Sequence, residues 1–263
     1  MKKPVLNLMA GAVLALSAVA AHAGDVNVTN NVIVGTGIAN NGFTVGATNN
    51  IEIGLRARER YGNPTAGVFV PTNNFYSDNN GTYNQAPGGF TPVGVNGTAG
   101  GPRAAWNFDW SINTDQSGTG GAKINSYTYR LSMDFDAGVG TNFQSFDLIN
   151  AASLFDHSFG DNTTGQGLGV EAANAAGYTS LKGSSNLVQN SWNYDFFDSA
   201  MFPFDPNAQG TYTIKLEAFR GDTLAASSLI NVNVGAAAVP EPGSMALVGL
   251  ALAGLAIARR RKA

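Results

Sequence analysis

The sequence predicts an all-β fold, mainly an antiparallel β-sandwich or jelly roll, set between two terminal segments of a different kind. Three observations predict it. Several stretches alternate large apolar with polar residues, the period of a strand with one buried and one wet face. Gly (33 residues) and Asn (28 residues) are abundant, and both favour turns over helices. No long stretch carries the spacing of an amphipathic helix, so the strands follow one another directly.

Ile51, Ile53, Leu55 and Ala57 alternate with Glu52, Gly54 and Arg56, a first strand. Residues 62–102 carry Pro64, Pro71, Pro87, Pro92 and Pro102 among many Gly and Asn. That segment reads as a long decorated loop or as a set of short edge strands. Trp106, Phe108, Trp110 and Ile112 alternate with Asn107, Asp109 and Ser111, and Tyr127 to Phe135 repeats the pattern. Phe143 to Phe155 mixes helical spacing with turn residues and is a candidate short helix, with Gly169 to Ala176 a second. Tyr212, Ile214, Leu216 and Ala218 alternate with Thr213, Lys215 and Glu217 before Gly221-Asp222, and the chain returns as Leu224 to Val234. That is a hairpin, with Gly where a tight turn requires positive φ. Residues 24–234 thus read as one β-rich body, and 235–238 as a linker.

Composition narrows the function. The chain has 263 residues and no cysteine, which excludes a disulfide framework, thiolate chemistry and Cys-based metal sites. The formal charge of −3 hides an asymmetry. Residues 24–240 hold nine basic and seventeen acidic residues, a body of −8. An acidic body argues against nucleic acid, whose phosphates need a basic face.

The two ends read as addresses. Lys2 and Lys3, the apolar stretch Val5 to Ala20 and the small-x-small pattern Ala21-His22-Ala23 form a signal peptide over residues 1–23, with signal peptidase acting before Gly24. At the other end, Val239-Pro240-Glu241-Pro242 precedes sixteen uncharged, mostly apolar residues (243–258) and then Arg259, Arg260, Arg261 and Lys262. The apolar run is short for a full span, roughly 20 residues, but snorkelling arginines and local thinning cover the gap. The basic cluster belongs on the cytoplasmic side. Prolines on either side of Glu241 hold that segment extended and out of the helix.

This tail resembles the PEP-CTERM sorting signal of Gram-negative bacteria that make extracellular polysaccharide. The resemblance implies processing by exosortase, a membrane-embedded cysteine transpeptidase, after transient anchoring in the inner membrane. The body also has a resemblance. FDHSFGDN, GVEAANAAGY, QNSWNYDFFDS and FDPNAQGTYTIKLEAF, within residues 106–234, look like a recurrent β-rich body of PEP-CTERM proteins that has no assigned activity.

His157, in Asp156-His157-Ser158, invites a triad reading, but triad members come from separated segments, and a histidine satisfied in a turn is the plainer reading. For Ca²⁺ the acidic groups are Asp134 with Asp136, Asp156 with Asp161, and Asp195, Asp198 and Asp205. None fits a binding-loop pattern, so no cofactor is assigned. Sugar-stacking aromatics would be Phe75, Tyr76 and Tyr83, or Trp192, Tyr194, Phe196 and Phe197, the second group reading more simply as core. Arg220-Gly221-Asp222 falls where a hairpin turn belongs. The sequons at Asn27, Asn80, Asn96 and Asn162 follow from an Asn-rich composition.

The reading is an exported, exosortase-processed protein of the cell surface or extracellular matrix, not an enzyme. It is a structural component associated with exopolysaccharide in a biofilm. A carbohydrate-binding module is the alternative, and a hydrolase a more distant one.

Overall fold

The computed structural model describes residues 29–34, 42–61, 71–90, 103–150 and 155–235. Two sheets face each other. The first runs β1 (Thr44–Thr48), β2 (Ile51–Tyr61), β7 (Trp106–Asn113), β11 (Leu187–Asn193) and β10 (Ser158–Gly160), with β3 (Pro71–Asn74) also on β2. The second runs β4 (Thr82–Gln85), β13 (Thr223–Val234), β12 (Gly210–Arg220), β8 (Thr128–Asp134) and β9 (Phe143–Phe146). A two-stranded piece pairs β5 (Gly89–Phe90) with β6 (Arg103–Ala104). Among these strands every pairing is antiparallel except β4 on β13.

Turn chemistry sets the registers. Asn49 and Asn50 both take positive φ between β1 and β2, the backbone of a two-residue hairpin loop. Gly221 (φ 60°) opens the two-residue turn between β12 and β13, where the sequence placed it. The two sheets approach closely at Gly46. A Cβ there would sit 1.8 Å from the Ser227 carbonyl oxygen, so no larger residue fits.

The core lies between the sheets. Ile53, Leu55, Trp106, Phe108, Trp110 and Ile112 from the first sheet meet Leu131, Met133, Tyr212, Ile214, Leu216, Ile230 and Val232 from the second. Tyr83 of β4 joins this core, so the Pro-rich segment does contribute short edge strands where it is described.

Two expectations are corrected. Phe143–Phe146 is edge strand β9, not a helix, and Leu148–Asn150 is a turn. Hydrogen bonding to β8 decides the conformation of a segment whose own spacing is ambiguous. Among the described residues the α-helix is instead α1 (Ala175–Ser184), beginning where the second candidate ended. Its N-cap is Asn174, whose side chain accepts from the Gly177 N–H at 2.9 Å.

The second correction concerns the polar face of β7. The alternation predicts that Asn107, Asp109, Ser111 and Asn113 are wet, yet all four are buried. Residues 29–34 lie across this face. Val32 and Ile33 are buried, the Val32 N–H donates to Gln189 Oε1 (2.7 Å), and Gln189 Nε2 donates to the Asn30 carbonyl (2.9 Å) and to Ser111 Oγ (2.9 Å).

At the centre of that face Asp109 accepts from Arg56 Nε (2.7 Å) and Arg58 Nε (3.0 Å), with all three side chains fully buried. Arg58 Nη2 also donates to Ser191 Oγ (3.0 Å). The Arg56 guanidinium lies over the Phe43 ring at 4.1 Å and the Phe75 ring at 4.9 Å. Burial alone would raise the Asp109 carboxyl, but Arg58 and Arg56 together hold it below the usual carboxylate range. Removing one partner of such a group leaves buried charge uncompensated. Asp109→Ala is therefore expected to lower stability by about 3–5 kcal/mol in urea unfolding. A change below about 1 kcal/mol, the scale of a solvated surface pair, would show that the cluster does not hold this face together.

Candidate functional site

A surface pocket of about 470 Å³ opens at one end of the sandwich, between the β8–β9 loop and the segment leading into β12. That volume lies within the usual range for small-ligand sites. Its lining includes Phe135, Asp136, Asn142, Phe204, Asp205 and Tyr212.

Each wall has a local cause. Asp134 closes the neck of the β8–β9 loop, its Oδ1 accepting from the backbone N–H groups of Asp136 (3.1 Å) and Asn142 (2.6 Å). Asp136 Oδ1 accepts from the Gly138 N–H (2.8 Å). On the other wall Asp198 Oδ1 accepts from the Phe204 N–H (2.8 Å), and Asp205 Oδ1 accepts from the Asn207 N–H (2.9 Å). Asn142 Nδ2 reaches the Met201 carbonyl (3.4 Å) and links the two walls.

The floor is aromatic and continuous with the core. Phe135 to Tyr194 is 4.8 Å between ring centroids, Tyr194 to Phe204 is 5.1 Å, and Phe204 to Tyr212 is 5.6 Å. Trp106 packs beneath Tyr194 at 5.1 Å. The Tyr194 hydroxyl donates to the Asp134 carbonyl, which ties the floor to the loop neck. Burial, with the Asp205 carboxylate adding to it, pushes the Tyr212 phenol up to about 12, so it stays protonated at neutral pH. The pocket thus presents the half-buried Phe204 ring, two carboxylates, an amide and backbone polar groups, an arrangement that suits a ligand with both hydroxyls and a C–H face.

A second groove, about 360 Å³, lies on the outer face of the second sheet among Arg130, Ser132, Phe143, Ser145, Lys215 and Glu217. Its charges are matched internally. Glu217 takes Arg130 Nη2 and Lys215 Nζ, each at 2.7 Å.

The other candidates from the sequence fall as follows. His157 has its hydrogen bonds satisfied, but it is fully buried in the core rather than in a turn. Its Nε2–H donates to the Leu148 carbonyl (2.9 Å), and its Nδ1 accepts from Asn190 Nδ2 (3.1 Å). Trp110 stands edge-on to it at 4.9 Å. Asp161 bonds Thr163 and Thr164 in a local turn, and Asp195 meets Arg103 at 3.4 Å. Among the described residues no three His, Asp or Glu side chains converge as a metal site.

Phe75, Tyr83, Trp192 and Tyr194 are buried, whereas Tyr76 and Phe196 are 55% and 52% exposed, Phe196 beneath the Arg103 guanidinium. Asn162 donates to the Asp115 carbonyl (2.7 Å) and accepts from Asn113 and Asn186, so its sequon nitrogen is occupied. The sequence alone does not disclose the pocket. Asp136 and Asp205 stand out in it as candidate cation ligands, but Phe204 carries no signal, because its partners are distant in sequence.

The signal-peptide residues Ala21 and Ala23, the motif Val239–Pro242 and the basic tail Arg259–Lys262 lie outside the described residues. Among the described residues no helix is long and apolar enough to cross a membrane. Comparison with known families matches the PEP-CTERM protein-sorting motif to residues 238–262. No curated protein and no solved structure matches the chain.

Burial depresses His157 below the ordinary histidine value, outweighing its bond to the Leu148 carbonyl and the nearby Asp156 charge. The folded chain therefore holds this ring neutral at a pH where the unfolded chain protonates it. Stability is expected to fall as pH drops below about 6.5, because the unfolded state then binds the extra proton. The check is the melting temperature of wild type and His157→Gln between about pH 7 and about pH 5. The wild type should show the steeper decline, and equal slopes would contradict the assignment.

Proposed function

Since this chain carries the PEP-CTERM sorting motif and is an exported, exosortase-targeted protein, we propose that it is a non-enzymatic surface or matrix component that holds extracellular polysaccharide in its terminal pocket. The observation carrying this reading is the pocket's lining. Phe204 supplies a half-buried ring, and Asp136, Asp205 and Asn142 supply acceptors and a donor, over a floor of buried Phe135 and Tyr212 fixed by the core. Sugars present C–H faces between rings of hydroxyls, and ordered hydroxyl partners give orientation. Exosortase and signal peptidase act on the chain as processing enzymes, the inner membrane holds it transiently, and no metal or cofactor is required. Its destination is the cell surface or the extracellular matrix.

A second reading keeps the same fold without ligand binding. There the protein serves the matrix as a scaffold, and the charge-matched groove around Glu217 is simply a solvated sheet face.

Binding to extracellular polysaccharide from the producing bacterium, by pull-down and glycan array, separates the two. Phe204→Ala and Asp205→Asn are each expected to weaken binding by about tenfold or more, the equivalent of 1.4 kcal/mol. Asn at 205 can still accept the Asn207 N–H, so the turn is kept while the charge is lost. Lys215→Ala, in the other groove, should bind as wild type does. Absence of wild-type binding would favour the scaffold reading, and a specific hydrolytic activity would sink both.

A further inference from the structure

The pocket and the end of the folded body lie at the same end of the sandwich. Val234 pairs with Gly210, and the Gly235 N–H donates to the Gln85 carbonyl (3.0 Å). A Cβ on Gly235 would stand 2.6 Å from the Gln209 side chain, next in sequence to the pocket residue Ala208. The Thr211 N–H donates to the carbonyl of Ala137, another pocket residue (3.1 Å). The Gly221-Asp222 turn is at the opposite end of the eleven-residue strand β12, roughly 35 Å away at the usual rise of an extended chain.

Eight residues, and so nine Cα–Cα steps, lie between Val234 and Gly243, where the apolar run begins. Fully extended, nine steps reach about 30 Å, and an unstructured chain of that length would average about 17 Å. We infer that, while the tail holds the chain at the membrane, the pocket faces the bilayer across this narrow gap. Bulky polysaccharide then gains access only after the tail has been cut. The inference rests on the pocket being the polysaccharide site and on residues 243–258 entering the bilayer.

Electrostatics does not supply the orientation. The two pocket loops, 135–142 and 199–210, contain no Lys or Arg and carry Asp136 and Asp205. Nothing there draws the end onto anionic headgroups. The short tether alone sets the distance, so lengthening it is enough to open the site. Exosortase processing thereby becomes a timing step as well as a sorting step. A chain still at the inner membrane is kept from capturing polymer, and a released one is competent.

The absence of cysteine makes the test clean. Single substitutions Asp205→Cys, at the pocket, and Asp222→Cys, at the far turn, are placed in the full chain. Each is reconstituted in phosphatidylethanolamine–phosphatidylglycerol vesicles. Val139→Cys, on the fully exposed tip of the β8–β9 loop, serves if Asp205→Cys disturbs its turn.

A maleimide-bearing dextran should label Asp205→Cys about tenfold or more slowly than Asp222→Cys, while a small charged maleimide labels both alike. A Gly/Ser spacer of about 20 residues after Ala238, or release of the tail by exosortase, should abolish the difference. Equal dextran rates on the tethered chain overturn the masking and leave the pocket's ligand reading intact. Masking of the tethered variant, when the released wild-type chain binds no polysaccharide, overturns the regulatory inference through its ligand premise. Extraction of the tethered chain by carbonate overturns it through its membrane premise.

Discussion

The contact between Asp109 and the two guanidiniums of Arg56 and Arg58 fixes the arrangement on which the rest of this structure depends. β7 is the middle strand of a sheet buried on both faces. One face is a continuous aromatic and aliphatic layer. The other carries charge and amide groups that require partners, since an unmatched buried charge is far costlier than an unmatched buried methylene. In the β2–β7 register Asp109 stands opposite Arg56, and in the β7–β11 register it stands opposite Ser191. A slip of one residue would carry Asp109 into the layer of Trp106 and Trp110. The ion cluster therefore selects the register of three strands at once, which apolar packing alone would select less sharply.

That polar face also explains the use of asparagine. A composition rich in Asn suggests turns, and Asn49 and Asn50 do form one. Yet Asn107, Asn113, Asn186, Asn190 and Asn193 are buried. Asn193 Nδ2 donates to the carbonyls of Ala104 (2.9 Å) and Trp106 (3.1 Å), and its Oδ1 accepts from the Ala104 N–H (3.0 Å). Asn186 reaches Asn113 Oδ1 (3.0 Å) and Asn162 Oδ1 (3.1 Å). A side-chain amide both donates and accepts, so it can substitute for a strand partner where loops cross a sheet. In a chain without disulfides, such networks anchor the loops and residues 29–34 onto the first sheet.

How much of this the sequence discloses depends on the range over which each cause acts. The β12–β13 hairpin is legible because its alternation and its Gly221-Asp222 turn are local. The strand character of β7 is legible too, but its exposure is not. Alternation reports that two faces differ in chemistry, and it is silent on whether the polar one meets water or protein. Helix α1 is nearly invisible. It buries only Tyr178 and contains Gly177 and Gly183, leaving neither periodicity nor propensity to read. The pocket is least legible, because its walls come from segments about sixty residues apart, and Phe204 acquires meaning only from Tyr194 and Tyr212.

The pocket's floor is made from the core itself, and this limits how the site can be altered. Tyr194 packs on Trp106, Phe135, Phe204 and Tyr212, so a change there disturbs sandwich and site together. The rim is different. Asp136 and Asp205 bond mainly within their own turns, so their outward chemistry can vary while the floor keeps its shape. Ligand preference in such a fold would reside in those two short loops, and affinity would depend on the rigidity of the rings beneath. The same loops lie beside the last strand before the sorting tail. A ligand held there would therefore sit at the end of the molecule from which the sorting motif extends.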